Sequence, residues 1–208
     1  MAYVSVADIK AAMPDAIPAG ETSYDSILSD LADRASELID RLTGREVGAY
    51  DASASATARV YDGSGKSYQW IDECVEVTKV EVKDSPTDDD YVTWSTSDYI
   101  VATGSPDYPE YNKTPYTLLL VDINGDYAIF TKGPRTVRVT ARWGYSDDPP
   151  EVVKQAVIIQ AVRWFKRGQQ AFQDVSGQAE LGQLTFAKKI DPDIAAMLYD
   201  AGLRRMTI

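Results

Sequence analysis

Three short stretches hold most of the residues in this chain that could do chemistry. Asp122-Ile-Asn-Gly-Asp126 offers side-chain oxygens at alternate positions, as a calcium loop does. Its glycine comes too early, however, and Gly133 stands where the closing bidentate Glu belongs. A tight Asn124-Gly125 hairpin turn is the preferred reading. Asp62-Gly-Ser-Gly-Lys66 has the glycines and lysine of a phosphate cradle. It lacks the Walker spacing and sits between two strand-like runs rather than opening a helix. Asp88-Asp-Asp90 lies near Tyr91 and Trp94, the residue types of a carboxylate glycosidase or a sugar site. Three adjacent carboxylates in a turn are more simply a solvated surface. No catalytic, cofactor-binding or metal-ligating residue is assigned.

Composition narrows the chemistry further. The 208 residues contain no histidine, which removes the commonest general base, the usual nucleophile–His pairs and most zinc sites. Cys74 is the single cysteine, so no intrachain disulfide can form, and a reducing cytoplasm is expected at synthesis and assembly. A net charge of −11 works against general nucleic-acid binding, which rests on clustered Lys and Arg. Solubility is its plainest explanation. A hydrophobic content of 44% is enough for one domain or two small ones. The longest clean apolar runs, Leu118–Val121 and Ala156–Ile159, are far short of a membrane span, and the N-terminus carries no secretory pattern.

Residues 1–44 carry helical periodicity. Ser5 is placed to cap a short helix ended by Met13-Pro14, and Thr22 or Ser23 to cap a second running to about Leu42. Tyr24, Ile27, Leu28, Leu31, Ala32, Ala35, Leu38, Ile39 and Leu42 share one arc of that helix, opposite Asp30, Arg34, Glu37 and Asp40. Gly44 is placed to end it. Residues 45–57 read as a small, polar linker.

From Ala58 the period changes to two. Ala58–Tyr61 and Ser67–Ile71 are expected to form a hairpin. The phase of the valines slips at Thr78-Lys79, which predicts a bulge. Further strands are expected at 91–94, 98–103, 116–121, 127–131 and 136–142, with 104–114 as a projecting loop. Pro150 should start a long helix and Asp191-Pro192 a last one through Arg205, its basic end suited to the helix dipole.

The helix from Pro150 is apolar on more than one side. Val153, Val157, Ile158, Ala161, Trp164 and Phe165 suffice for packing within the chain, yet Val152, Ala156, Ile159 and Val162 lie elsewhere on its circumference among Lys and Arg. Such a helix is buried on several sides, either inside its own chain or against a neighbour. The neighbour is preferred because the second set is interleaved with cations. The segment 168–189 has no clear period but carries Phe172, Leu181, Leu184 and Phe186, and is expected to order on a partner. The candidate interface is therefore Val152, Ile159, Arg163, Lys166, Arg167, Phe172, Leu184 and Phe186.

The run Thr136–Arg142, then Trp143-Gly-Tyr145 and Pro149-Pro150 feeding the long helix, resembles the strand-to-helix junction of the head–tail connector proteins of tailed bacteriophages. Ile39-Asp-Arg-Leu-Thr-Gly-Arg45, Arg59–Gly65 with Trp70-Ile71, Val77–Val82, Asp98-Tyr-Ile100, Leu118–Leu120, Leu184-Thr-Phe186 and Asp191–Arg205 resemble that family's segments in order. An extended region around Asp84–Thr114 departs from it.

The resemblance implies an α+β fold: a helical bundle formed from N- and C-terminal helices (1–44 and 150–208, the latter with a C-terminal arm) around an inserted antiparallel β region (58–143). It implies a non-enzymatic virion protein, located in the neck between capsid and tail and assembled in the host cytoplasm. That protein would be a dodecameric ring that binds the portal and a tail or stopper protein, with no membrane partner. DNA would pass through its channel unbound, and carboxylates lining the channel would keep the duplex sliding. Thirteen tyrosines, four tryptophans and the acidic turns keep two alternatives open: a carbohydrate- or receptor-binding β module of a virion, and a carboxylate-based glycosidase.

Overall fold

The computed structural model describes residues 2–169, 175–176, 185–186 and 190–203. The chain divides into two compact units, Ala49–Asp148 and Met1–Gly48 with Pro149–Ile208.

The first is a seven-stranded antiparallel sheet. Its strands are β1 (Thr57–Gly63), β2 (Tyr68–Val82), β3 (Val92–Thr93), β4 (Tyr99–Ser105), β5 (Tyr108–Tyr111), β6 (Tyr116–Val121) and β7 (Gly133–Trp143). The order across the sheet is β1-β7-β2-β6-β4-β5, with β3 on the far half of β2. β2 pairs with β6 through Tyr68–Cys74 and with β7 through Cys74–Val82. Its ladder to β7 shifts register between Val77 and Lys79, where the valine phase slips. The side facing inward carries Ile71, Val80, Val82, Leu119, Val137 and Val139, closed over by Trp94 and Phe130 stacked at 4.8 Å.

The second unit holds α1 (Val6–Ala11), α2 (Asp25–Leu42), α3 (Glu151–Gln169) and α4 (Pro192–Asp200), together with the short pair β8 (Val175–Ser176) and β9 (Thr185–Phe186). Ser5 and Asp8 form a reciprocal capping box at the start of α1. α2 ends at Gly44 with φ 69°, a left-handed conformation that glycine adopts without a Cβ penalty. The amides of Gly44 and Arg45 then bond back to Arg41 and Asp40, satisfying carbonyls of the last turn. Asp191 caps α4 by accepting from the Asp193 amide, with Pro192 filling the first turn. The Gly202 and Leu203 amides close its other end on Tyr199 and Leu198. That helix stops at Asp200, short of the expected Arg205.

These elements overturn the expected fold class. The molecule is mostly a large antiparallel sheet with four helices among the described residues, and not a helical bundle carrying an inserted β region. The long helical stripes of 24–42 and 150–167 are strong local signals, but they account for only two of the elements. α1 has six residues and α4 nine, too short to build a bundle with two longer helices. The β segment is meanwhile larger than its alternation suggested. Gly104–Thr114 is not a projecting loop; β5 folds back on β4 through a two-residue turn, Ser105 facing Tyr108.

Three other local expectations also fail. β1 and β2 are not a hairpin, because β7 lies between them and pairs with both. Residues 127–131 form no strand, and Phe130 from this stretch fills the core instead. Residues 49–52 are no linker either. Tyr50 is fully buried with its ring 5.2 Å from Tyr145, and Ala52 bonds Ser146.

Candidate interaction surface

The acidic stretches prove to be structural turns. In Asp122–Asp126 the Asp122 carboxylate accepts from the Asn124 amide. Gly125 lies against Asp98, where an added Cβ would meet the Asp98 Cα at 2.6 Å. Buried Asp98 accepts from the backbone amides of Ser95 and Asp126. Asp88 accepts from the Ser85 amide in the same way. Among the described residues no group of Cys, Asp and Glu is placed to hold a metal ion, and no helix is long and apolar enough to cross a membrane. Cys74 is buried, and burial pushes its thiol up to about 12, out of the range of a nucleophile at neutral pH.

In the sheet unit, Glu81 is buried and receives two bonds from Arg138, at 2.6 and 2.8 Å, and one from Lys79 at 2.7 Å. The Arg138 guanidinium holds its carboxyl down at about 2. Arg138 also lies 4.3 Å over the Tyr91 ring. Asp72 of β2 accepts from Arg59 and the Tyr61 hydroxyl of β1, so the sheet curls enough for its strands to meet past β7. These are closed arrangements, with each charge answered inside the unit.

The helical unit leaves part of its apolar surface and one buried amide unfinished. α3 buries Val153, Ala156, Val157, Gln160, Ala161 and Phe165. Val152 and Ile159 are half-buried, as is Arg167, and Lys166 is exposed. Arg163 is half-buried and pairs at 2.7 Å with Asp191, the cap of α4. That contact joins α3 to α4 within the chain, so Arg163 has a structural role whatever lies outside. Phe172 and Leu184 fall outside the described residues; Phe186 is described only as backbone in β9, paired with Val175. The predicted set is thus brought together only along α3.

Two features escaped the sequence. One is an open apolar hollow of about 550 Å³ between α2 and α3. Tyr24, Ile27 and Leu31 line it from α2, and Trp164 and Phe165 from α3, with Arg34 at the rim. Tyr24 meets Phe165 edge-on at 5.4 Å, yet Tyr24 remains 38% and Ile27 49% exposed. The arc of nine apolar positions on α2 is wider than one facing helix covers, and that width was the available signal. The other is Gln160, completely buried on α3, whose amide nitrogen and oxygen both lack a hydrogen-bond partner among the described residues.

No protein-family model matches the chain, and no curated protein matches it. Among solved structures it is similar to a chain of the virion of a native gene transfer agent particle. That likeness covers 92% of this chain and 83% of the other at 15% identity, with a TM-score of 0.47. At those values it carries no functional argument, and function rests on the chain's own residues.

Proposed function

We propose that this chain is a non-enzymatic structural protein of a tailed-phage-like virion. It acts as a connector whose copies form a ring between portal and tail, extend the DNA channel and offer the tail or stopper protein a docking surface. The observation that carries this reading is the unfinished apolar surface of the helical unit. α3 keeps Val152, Ile159 and Val162 only half-buried, and beside it an aromatic hollow stands open. Exposed apolar surface of that kind, rimmed by charge, marks a protein–protein contact. The ordered connector-like motifs supply the identity of the assembly, a dodecameric ring in the neck. On this reading the helical unit is the connector core with its C-terminal arm, and the sheet unit is the insertion. The acidic balance suits a channel that duplex DNA crosses without being held.

The test is imaging by negative stain of the purified protein, alone and with its portal protein, beside an Ile159→Asp variant. Rings or ring-capped portals are expected for the natural chain. The variant should keep its circular dichroism spectrum but fail to assemble, because a charge buried at the contact costs association rather than folding. A folded protein that stays monomeric at high concentration with portal present would overturn the proposal. So would salt-sensitive micromolar binding to duplex DNA.

A further inference from the structure

The hollow on α2 and α3 has a counterpart elsewhere on the same sequence. Its floor is apolar and aromatic, and Arg34 at its rim makes no ion pair among the described residues. Its size falls within the range of pockets that enclose a compact group. In the sheet unit, the β4–β5 hairpin turns through Pro106-Asp107 and presents Tyr108, 83% exposed. Asp107 at the tip is exposed and has no hydrogen-bonding or ionic partner among the described residues. β5 is also the last strand of the sheet path, so no neighbour strand covers the outer side of this hairpin.

A tyrosine at the start of β5, just past a two-residue turn, is a compact anchor with little rotamer freedom to lose, and anchors of this type dominate contact energies. The unanswered Asp107 carboxylate matches the unanswered Arg34 guanidinium, which would fix the orientation of the anchor. We infer that the α2–α3 hollow of one copy receives Tyr108 and Asp107 from the β4–β5 hairpin of a second copy. The two surfaces differ, so the contact is head-to-tail, the kind that closes into a ring when the rotation permits. This inference rests on the proposed self-assembly and adds the contact that makes it.

The experiment mixes two single-cysteine variants of the full chain, Ile27→Cys and Tyr108→Cys, over a concentration series with and without portal protein. A short bis-maleimide is then added. Cys74 is buried and its thiol is held up at about 12, so the unmutated chain serves as the unreactive control. A cross-linked dimer is expected in the mixture and not in either variant alone. In parallel, Arg34→Glu and Asp107→Arg should each reduce assembly at least tenfold, and the double variant should restore it. Assembly with no mixed dimer and no rescue would overturn the hairpin contact while leaving the connector reading in place. Absence of any assembly by the natural chain under all conditions would overturn both.

Discussion

Glu81 in the sheet unit and Gln160 in the helical unit are both buried polar side chains, and their surroundings differ completely. Glu81 is held by two bonds from Arg138 and one from Lys79, with Tyr91 stacked beneath the guanidinium. Gln160 is fully buried and its amide reaches no partner among the described residues. The same contrast extends to apolar groups. Trp94 and Phe130 stack inside the sheet core, whereas Tyr24 and Ile27 border an open hollow. Buried groups answered in place, as around Glu81, ask nothing of a partner, although the sheet unit also presents exposed side chains such as Trp70 and Tyr108 on its surface. A unit that encloses an unanswered amide and leaves an aromatic surface open is the one that gains by association. Incompleteness, the open hollow on one unit and exposed Tyr108 on the other, therefore points to contact surfaces more directly than any motif does.

The largest effect should come from removing the answer in the sheet unit. Arg138→Ala leaves Glu81 with only Lys79 beside it, and because Arg138 is itself partly exposed the loss is that of its charge-assisted hydrogen bonds, about 3 kcal/mol. Urea denaturation followed by amide hydrogen exchange in the sheet unit should show that loss. Replacing both residues by leucine should recover most of it, since an apolar pair of similar volume needs no partner. If Arg138→Ala proves neutral, Glu81 is not dependent on its guanidinium and the sheet unit is less self-contained than its geometry indicates.

Acid should separate the two units. Glu81 has its carboxyl lowered from 4.5 to about 2, chiefly by the Arg138 hydrogen bonds. A lowered carboxyl contributes stability above its unfolded value and loses it as pH falls towards the folded one. The sheet should therefore lose about 3 kcal/mol from this group between roughly pH 4.5 and 2. Asp40 of α2 is displaced the other way. Burial raises its carboxyl, against the bonds it accepts from the Tyr3 hydroxyl at 2.6 Å and the Gly48 amide at 2.9 Å. A raised group stabilises the fold below its unfolded value, and that contribution is lost as pH rises through the folded one. Tyr3→Phe removes the hydroxyl donor, should cost about 1–2 kcal/mol at neutral pH, and should raise Asp40 further. Amide exchange resolved by unit would check this. Parallel acid responses in the two units, unchanged by Tyr3→Phe, would remove the contrast.

Local structure is legible in the sequence where one residue type decides the geometry. Gly44 ends α2, Asp191-Pro192 starts α4, and the valine slip at Thr78-Lys79 marks a register shift in β2. Non-local pairing was not legible. Adjacency in sequence suggested that β1 and β2 form a hairpin, but strand alternation carries no address, and β7 from much later in the chain pairs between them. Thr22 and Ser23 looked like caps for α2, whereas Tyr24 holds that place without a side-chain bond while Ser23 bonds Glu21. The small residues of 45–57 concealed Tyr50, whose burial depends on Tyr145 nearly a hundred positions away. Along α3 the pattern showed excess apolar surface without saying which residues remain open. That depends on how far α2 extends across it.

The smallest effect bears on the contrast most directly. Gln160 has nearly the volume of methionine, so Gln160→Met fills the same space and removes both unanswered polar atoms. A buried donor or acceptor without a partner carries a desolvation cost of about 1–3 kcal/mol, part of which the substitution recovers. The isolated protein should therefore gain about 1 kcal/mol, a rise of roughly 2–4 °C in Tm for a chain of this size. Assembly should not improve in proportion, because the gain lies inside the helical unit and not at its hollow. A loss of similar size would mean that the amide is satisfied, most simply by an ordered water making two or more bonds. The helical unit would then be as complete in its polar groups as the sheet, and only the open aromatic hollow would still distinguish them.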